Sequence, residues 1–124
     1  MKFVMAINCM DGRTQIPVIE WLKKEYGANY VDVITEPGPN KILAENKDRF
    51  YIDSIRRRVE ISVKKHHSKV IAIIGHYDCA GNPIAKEIQL TQIKDSIKAI
   101  KSWRFDVHVV GLWVDENWQV SKVS

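Results

Sequence analysis

The chain has only two cysteines, Cys9 and Cys79, and His76 stands three positions before the second. Cys9 opens the stretch Cys9-Met10-Asp11-Gly12-Arg13, and His76 opens His76-Tyr77-Asp78-Cys79. Each stretch follows an apolar run that reads as a β-strand, so two thiolates and one imidazole can meet at neighbouring strand ends. Those are three of the four ligands that zinc takes. Three protein ligands leave one position for water, the arrangement of a catalytic rather than a structural site. The plainer alternative makes Cys9 and Cys79 small core residues and lets His76 satisfy a turn. A His-x-x-Cys pair alone is common by chance; a second cysteine in the same topological position strengthens the metal reading.

Asp11 and Arg13 lie two residues apart in a tight loop containing Gly12. They can form a charge-assisted pair that keeps the carboxylate ionised and fixed in direction. Structurally such a pair pins the loop. Chemically it can do more, because two thiolates cancel the formal charge of Zn²⁺ and leave a weaker Lewis acid than three neutral histidines would. Asp11 could then orient the water by accepting its hydrogen bond, while Arg13 keeps Asp11 off the metal. Released by Arg13, Asp11 could become the fourth ligand and close the site. A thiolate phosphatase is excluded, since only three residues separate Cys9 from Arg13 where a phosphate-wrapping loop needs five.

The elements that must position these groups follow from hydrophobic patterning. Lys2–Asn8, Tyr30–Thr35, Lys69–Gly75 and Asp106–Val114 are near-continuous apolar runs, as expected of strands in a parallel sheet covered on both faces. Ile16, Ile19, Leu22 and Tyr26 repeat at helical spacing, and Gly27 stands where a left-handed cap falls, which predicts a helix over about Ile16–Tyr26. Ile52, Ile55, Val59 and Val63 stripe a second helix, and Ile93, Ile97 and Ile100 stripe another that ends near Trp103. Asn82-Pro83 is a candidate start for a further helix. Strand and helix alternate four times, which gives a three-layer α/β/α fold with a four-stranded parallel sheet. Trp118–Val123 alternates apolar and polar residues after the turn at Asp115-Glu116-Asn117, which fits an antiparallel edge strand at the C-terminus. In such sheets ligands bind past the carboxyl ends of the strands, where connections diverge to opposite faces. If strands one and three are neighbours, Cys9 and His76 both reach that point.

With 124 residues, 45% of them hydrophobic, the chain fits a single domain, residues 1–124. Its longest apolar runs are far shorter than the roughly 20 residues that cross a bilayer. The N-terminal run is also too short for a secretory signal, so the expected location is cytoplasmic. In a reducing compartment, cysteines this far apart read as ligands or catalytic groups before they read as a disulfide. The net charge of +4 comes largely from Arg56-Arg57-Arg58 and Lys64–Lys69, both within one predicted helix. That helix carries no interleaved aromatic platforms after Tyr51, so it reads as a solvated face and not a nucleic-acid surface.

Cys-x-Asp-x-Arg after the first strand and Gly-His-x-x-Cys after the third resemble the β-class carbonic anhydrases, and both motifs match in full. The resemblance implies that Cys9, His76 and Cys79 are zinc ligands, and that Asp11 and Arg13 form a gating and water-orienting dyad. It implies a sheet ordered 2-1-3-4 with an added antiparallel strand. It also implies a homodimer or higher homo-oligomer and, as activity, reversible hydration of CO₂ to bicarbonate.

The chain departs from that family in three places. Its first strand is expected to start at residue 2, so the N-terminal helices that in the family embrace a partner subunit are expected to be missing. Thr35-Glu36-Pro37-Gly38 stands where the family has Arg-Asn-Ala-Gly, and Ala80 replaces a glycine. These changes concern the pocket wall and subunit contacts and leave the metal ligands untouched. Two alternatives therefore accompany the lyase reading: a non-catalytic zinc module closed by Asp11, and a hydrolase of carbonyl sulfide or carbon disulfide. His108, His66 and His67 could carry protons by residue type alone, although each reads more simply as a surface or strand residue.

Overall fold

The computed structural model describes all 124 residues. Four strands, β1 (Phe3–Cys9), β2 (Tyr30–Glu36), β3 (Val70–His76) and β4 (His108–Val114), pair in parallel in the order β2-β1-β3-β4. A short β5 (Val120–Lys122) adds antiparallel to β4, as the alternation in the tail predicted. β3 is buried along its whole length, which explains its unbroken apolar sequence.

Helix α1 (Gln15–Tyr26) covers one face of the sheet, while α2 (Pro39–Glu45), α3 (Arg49–Lys65) and α4 (Lys86–Lys101) cover the other. Gly27 caps α1 in the left-handed conformation, at φ 61°. The two faces divide the core. Met5, Ile7, Ile71 and Ile73 meet Ile52, Ile55, Ile93 and Ile97 on the α2–α4 side, whereas Val4, Ala6, Ala72 and Ile74 meet Val18 and Leu22 on the α1 side. Successive strand residues therefore enter different cores, as a period of two requires.

Two local expectations are corrected, and one short helix is added. Ile16 does not belong to the buried stripe of α1: it is 66% exposed, and Thr14, Val18 and Leu22 occupy the inward face. Asn82-Pro83 starts no helix, because the Asn82 side chain is used inward: its Nδ2 donates to Asn40 Oδ1 and Gln92 Oε1. The intervening residues form a loop up to Ala85. The short α2 was not predicted; Gly38, at φ 64°, turns the chain into it and Pro39 occupies its first turn.

The connection after β1 runs to the α1 face, and the connection after β3 runs to the opposite face through α4. The switch point therefore falls between these neighbouring strands. Their pairing is short. β1 and β3 are in register only from Met5–Ile7 against Ile71–Ile73, whereas β1–β2 pairing runs to Cys9 and β3–β4 pairing to His76. Past Ile7 and Ile73 the two central strands part.

Candidate metal centre

The cleft between the parting strands holds the chemistry. Cys9 is the last residue of β1, His76 is the last of β3, and Cys79 lies three residues further on; all three are buried. Their ligand atoms lie within 4.8 Å of one another, and the two sulfurs are 3.8 Å apart. Two sulfurs bound about 2.3 Å from one ion at a tetrahedral angle would stand about 3.8 Å apart. His76 Nδ1 lies 2.7 Å from the Tyr77 carbonyl, an acceptor only, so this nitrogen carries the hydrogen and donates it. The other ring nitrogen, Nε2, is then a bare lone pair. It is buried and has no hydrogen-bond partner. An unpartnered buried nitrogen beside two thiols is costly unless something occupies the space between them, and a soft divalent cation suits this donor set.

Electrostatics favour the same occupant. The hydrogen bond from Cys79, with His76 and the backbone N–H groups of Gly38 and Asp11, outweighs burial and holds the Cys9 thiol well below its ordinary range. The Cys79 thiol is pushed up by that same hydrogen bond, by burial and by the Cys9 charge. Burial disfavours charge on His76, but the neighbouring Cys9, the Tyr77 carbonyl and Asp11 more than offset it and raise its pKa. A cation bound there would displace the protons that these thiols otherwise carry.

Asp11 stands outside this cluster and is held there by Arg13. Arg13 Nη2 donates to Asp11 Oδ2 at 2.7 Å, Arg13 Nε donates to Oδ1 at 3.0 Å, and the Arg13 backbone N–H adds a bond at 2.9 Å. Hydrogen bonding from Arg13 holds the Asp11 carboxyl at about 2, and the Arg13 guanidinium is raised in turn. The guanidinium also reaches Asp78, through its carboxylate at 3.3 Å and its carbonyl at 3.1 Å. The loop backbone is pinned from inside. Asn8 Oδ1 accepts from the Cys9 N–H, and Gln15 Nε2 donates to the carbonyls of Cys9 and Asp11.

The predicted residues Cys9, Asp11, Arg13, His76 and Cys79 are therefore brought together. The candidate shuttles are not: His108 pairs with Val70, roughly 20 Å from His76 by strand rise, and His66 stacks on Phe3 at the start of β1, the far end of that strand from Cys9. His67 follows His66 and lies at that end too.

A buried amide network went unforeseen. Gln89 Nε2 donates to the His76 carbonyl at 2.8 Å, and its Oε1 accepts from the His76 N–H and from Asn40 Nδ2. Gln89 lies one turn before Ile93 on the apolar stripe of α4, and a polar residue on that stripe was the available signal. Gly75 makes room for it, since a Cβ there would sit 3.0 Å from Asn40 Nδ2, Gln89 Oε1 and Ile93 Cδ1. Above the cluster, Cys9, Met10, Asp11, Pro37, Ala80 and Gly81 line a cavity of about 200 Å³.

The fold matches solved enzymes. A structure from a pair of tetrameric β-carbonic anhydrases of the filamentous ascomycete Sordaria macrospora aligns over 98% of this chain and 80% of its own, with TM-score 0.65 and 14% identity. The β-carbonic anhydrase CafA of the fungal pathogen Aspergillus fumigatus aligns over 98% and 74%, with TM-score 0.63 and 15% identity. The architecture is thus that of the β-carbonic anhydrases. The sequence matches the family described as "Putative carbonic anhydrase" over residues 1–124, and the chain belongs to that family. Among curated proteins, terminal nucleotidyltransferase 5C of Mus musculus is 30% identical over 82 residues, 61% of this chain; the chain spans 21% of that protein's length.

Proposed function

We propose that the chain is a zinc-dependent lyase that converts CO₂ and water to bicarbonate and a proton, with Cys9, His76 and Cys79 holding the ion. The observation that carries this reading is the pair of sulfurs 3.8 Å apart beside a buried, unpartnered His76 Nε2. When bound, zinc supplies the Lewis acidity that makes water a nucleophile near neutral pH. The protein supplies the rest. Gln89 fixes the backbone of His76 through both its N–H and its carbonyl, so the imidazole is aimed before any ion arrives. Asp11, kept ionised by Arg13, is the acceptor that orients the attacking water. Met10, Pro37 and Ala80 give the small cavity apolar walls, which suit a compact uncharged substrate. The proton leaves by water or buffer, since His66, His67 and His108 lie too far away.

Within Thr35-Glu36-Pro37-Gly38, Pro37 faces the cavity while its neighbours turn elsewhere. Glu36 pairs with Arg58, and the backbone N–H of Gly38 turns to Cys9. Both free thiols suit a reducing compartment such as the cytoplasm, and no helix is long and apolar enough to cross a membrane. Residues 1–124 work as one domain, in a homodimer or higher homo-oligomer, a reading supported by the tetrameric relatives and tested by light scattering on the purified chain.

Metal analysis after reducing purification is expected to find about one zinc per chain, and Cys79→Ser to lose it. Stopped-flow assays are expected to show CO₂ hydration above the buffer rate in the wild type alone. A wild type that holds zinc but hydrates nothing would favour the non-catalytic module. Carbonyl sulfide and carbon disulfide, assayed beside CO₂, decide among the heterocumulenes.

A further inference from the structure

The geometry points to Trp118 as a positioning residue, whose indole face holds the Arg13 guanidinium on Asp11 and so keeps the carboxylate out of the Cys9–His76–Cys79 cluster. This rests on the reading of Asp11 and Arg13 given above. The guanidinium carbon of Arg13 lies 4.4 Å from the centroid of the Trp118 ring, well within cation–π range. Its edges are engaged by Asp11 and Asp78, so the tryptophan covers a face that those partners leave free.

Arg13 needs that third contact. Its side chain is 45% exposed, and two carboxylates share it: Asp11, and the more open Asp78. An exposed ion pair is screened and weak, so charge alone does not decide which aspartate keeps the guanidinium. A planar ring fixed in space selects the orientation in which Nε and Nη2 both face Asp11.

Trp118 is fixed in this way. It occupies the turn between β4 and β5 with φ 59°, a left-handed conformation that is unfavourable for a bulky residue. The turn enforces it: the Trp118 N–H donates to the Asp115 carbonyl, and Asp115 Oδ1 accepts from the N–H groups of Asn117 and Gln119. The indole also packs against the apolar core on the α1 face. A strained tryptophan 105 residues from Arg13 in sequence is thus locked beneath it.

The test uses the full chain with Trp118→Leu, which retains apolar bulk and loses the ring face, and Trp118→Phe, which retains a ring. In metal-free protein, exchange of the Arg13 Nε–H followed by NMR is expected to speed up about three- to tenfold in Trp118→Leu and to return toward wild type in Trp118→Phe. In zinc-loaded protein, release of zinc to a chelator is expected to slow by a similar factor, because the freed Asp11 adds a ligand. In an Asp11→Asn background, Trp118→Leu is expected to leave release unchanged. Trp118→Met, whose flexible side chain adapts to the gap, gives the same readings should the leucine variant not fold. Unchanged Arg13 exchange, or zinc release that Trp118→Leu does not slow, overturns the proposal. A wild type that takes up no zinc overturns the metal reading instead, and the metal-free exchange measurement still decides whether Trp118 holds Arg13.

Discussion

Replacing Asp11 by asparagine removes the charge that Arg13 grips while preserving the size of the side chain. The variant is expected to keep its zinc and to lose about 10²-fold in CO₂ hydration, measured by stopped flow with metal quantified on the same sample. Full activity would make Asp11 a loop staple only. Gln89→Leu tests the support from below: it strips the His76 N–H and carbonyl and Asn40 Nδ2 of their partners inside the core. Denaturant unfolding is expected to show a loss of about 1–3 kcal/mol. At this scale the sequence was legible wherever residue type dictates chemistry. Two cysteines and a histidine at strand ends can be read as ligands before their distances are known, and Asp11 with Arg13 as a pair. Gln89, Asn40 and Trp118 were not legible, because an amide or an indole has no fixed role until tertiary structure places it beside one of those groups.

Among the elements, the loop Pro37–Gly38 is packed tightly against the Gly81–Asn82 segment. A Cβ on Gly38 would sit 2.8 Å from Asn82 Cβ, at φ 64°, and one on Gly81 would sit 2.7 Å from the Pro37 carbonyl carbon. Gly38→Ala is therefore expected to cost about 1–3 kcal/mol in chemical denaturation and to weaken zinc affinity, since the Gly38 N–H reaches Cys9. Unaltered stability and affinity would show that this wall yields freely. The strands and long helices were readable because burial on both faces, or on one stripe, leaves a periodic trace. The α1 stripe was misjudged at Ile16, where an apolar residue in the first turn falls outside the inward face marked by Thr14, Val18 and Leu22. The unforeseen α2 is too short for its period to register, and its start depends on the left-handed turn at Gly38.

For the whole molecule, binding that favours the folded state must stabilise it by mass action. Thermal unfolding is expected to shift down when a chelator is added and to recover with zinc, and Cys79→Ser is expected to melt at one temperature in either condition. Sheet order emerged from hydrophobic runs combined with the resemblance at two motifs. Side-chain alternation alone could not have ordered the strands, since it states which face a residue uses and not which strand lies beside it. That order has a mechanical meaning. β2 and β1 form one panel of the sheet and β3, β4 and β5 the other; the panels are joined by the register from Met5–Ile7 to Ile71–Ile73 and then gape. An ion gripped by Cys9 on one side and by His76 and Cys79 on the other would be a clasp across the seam. Amides of Asn8, Ile74 and Gly75 should then exchange with deuterium more slowly once the clasp is fastened, while those at the far end of the strands stay as they were.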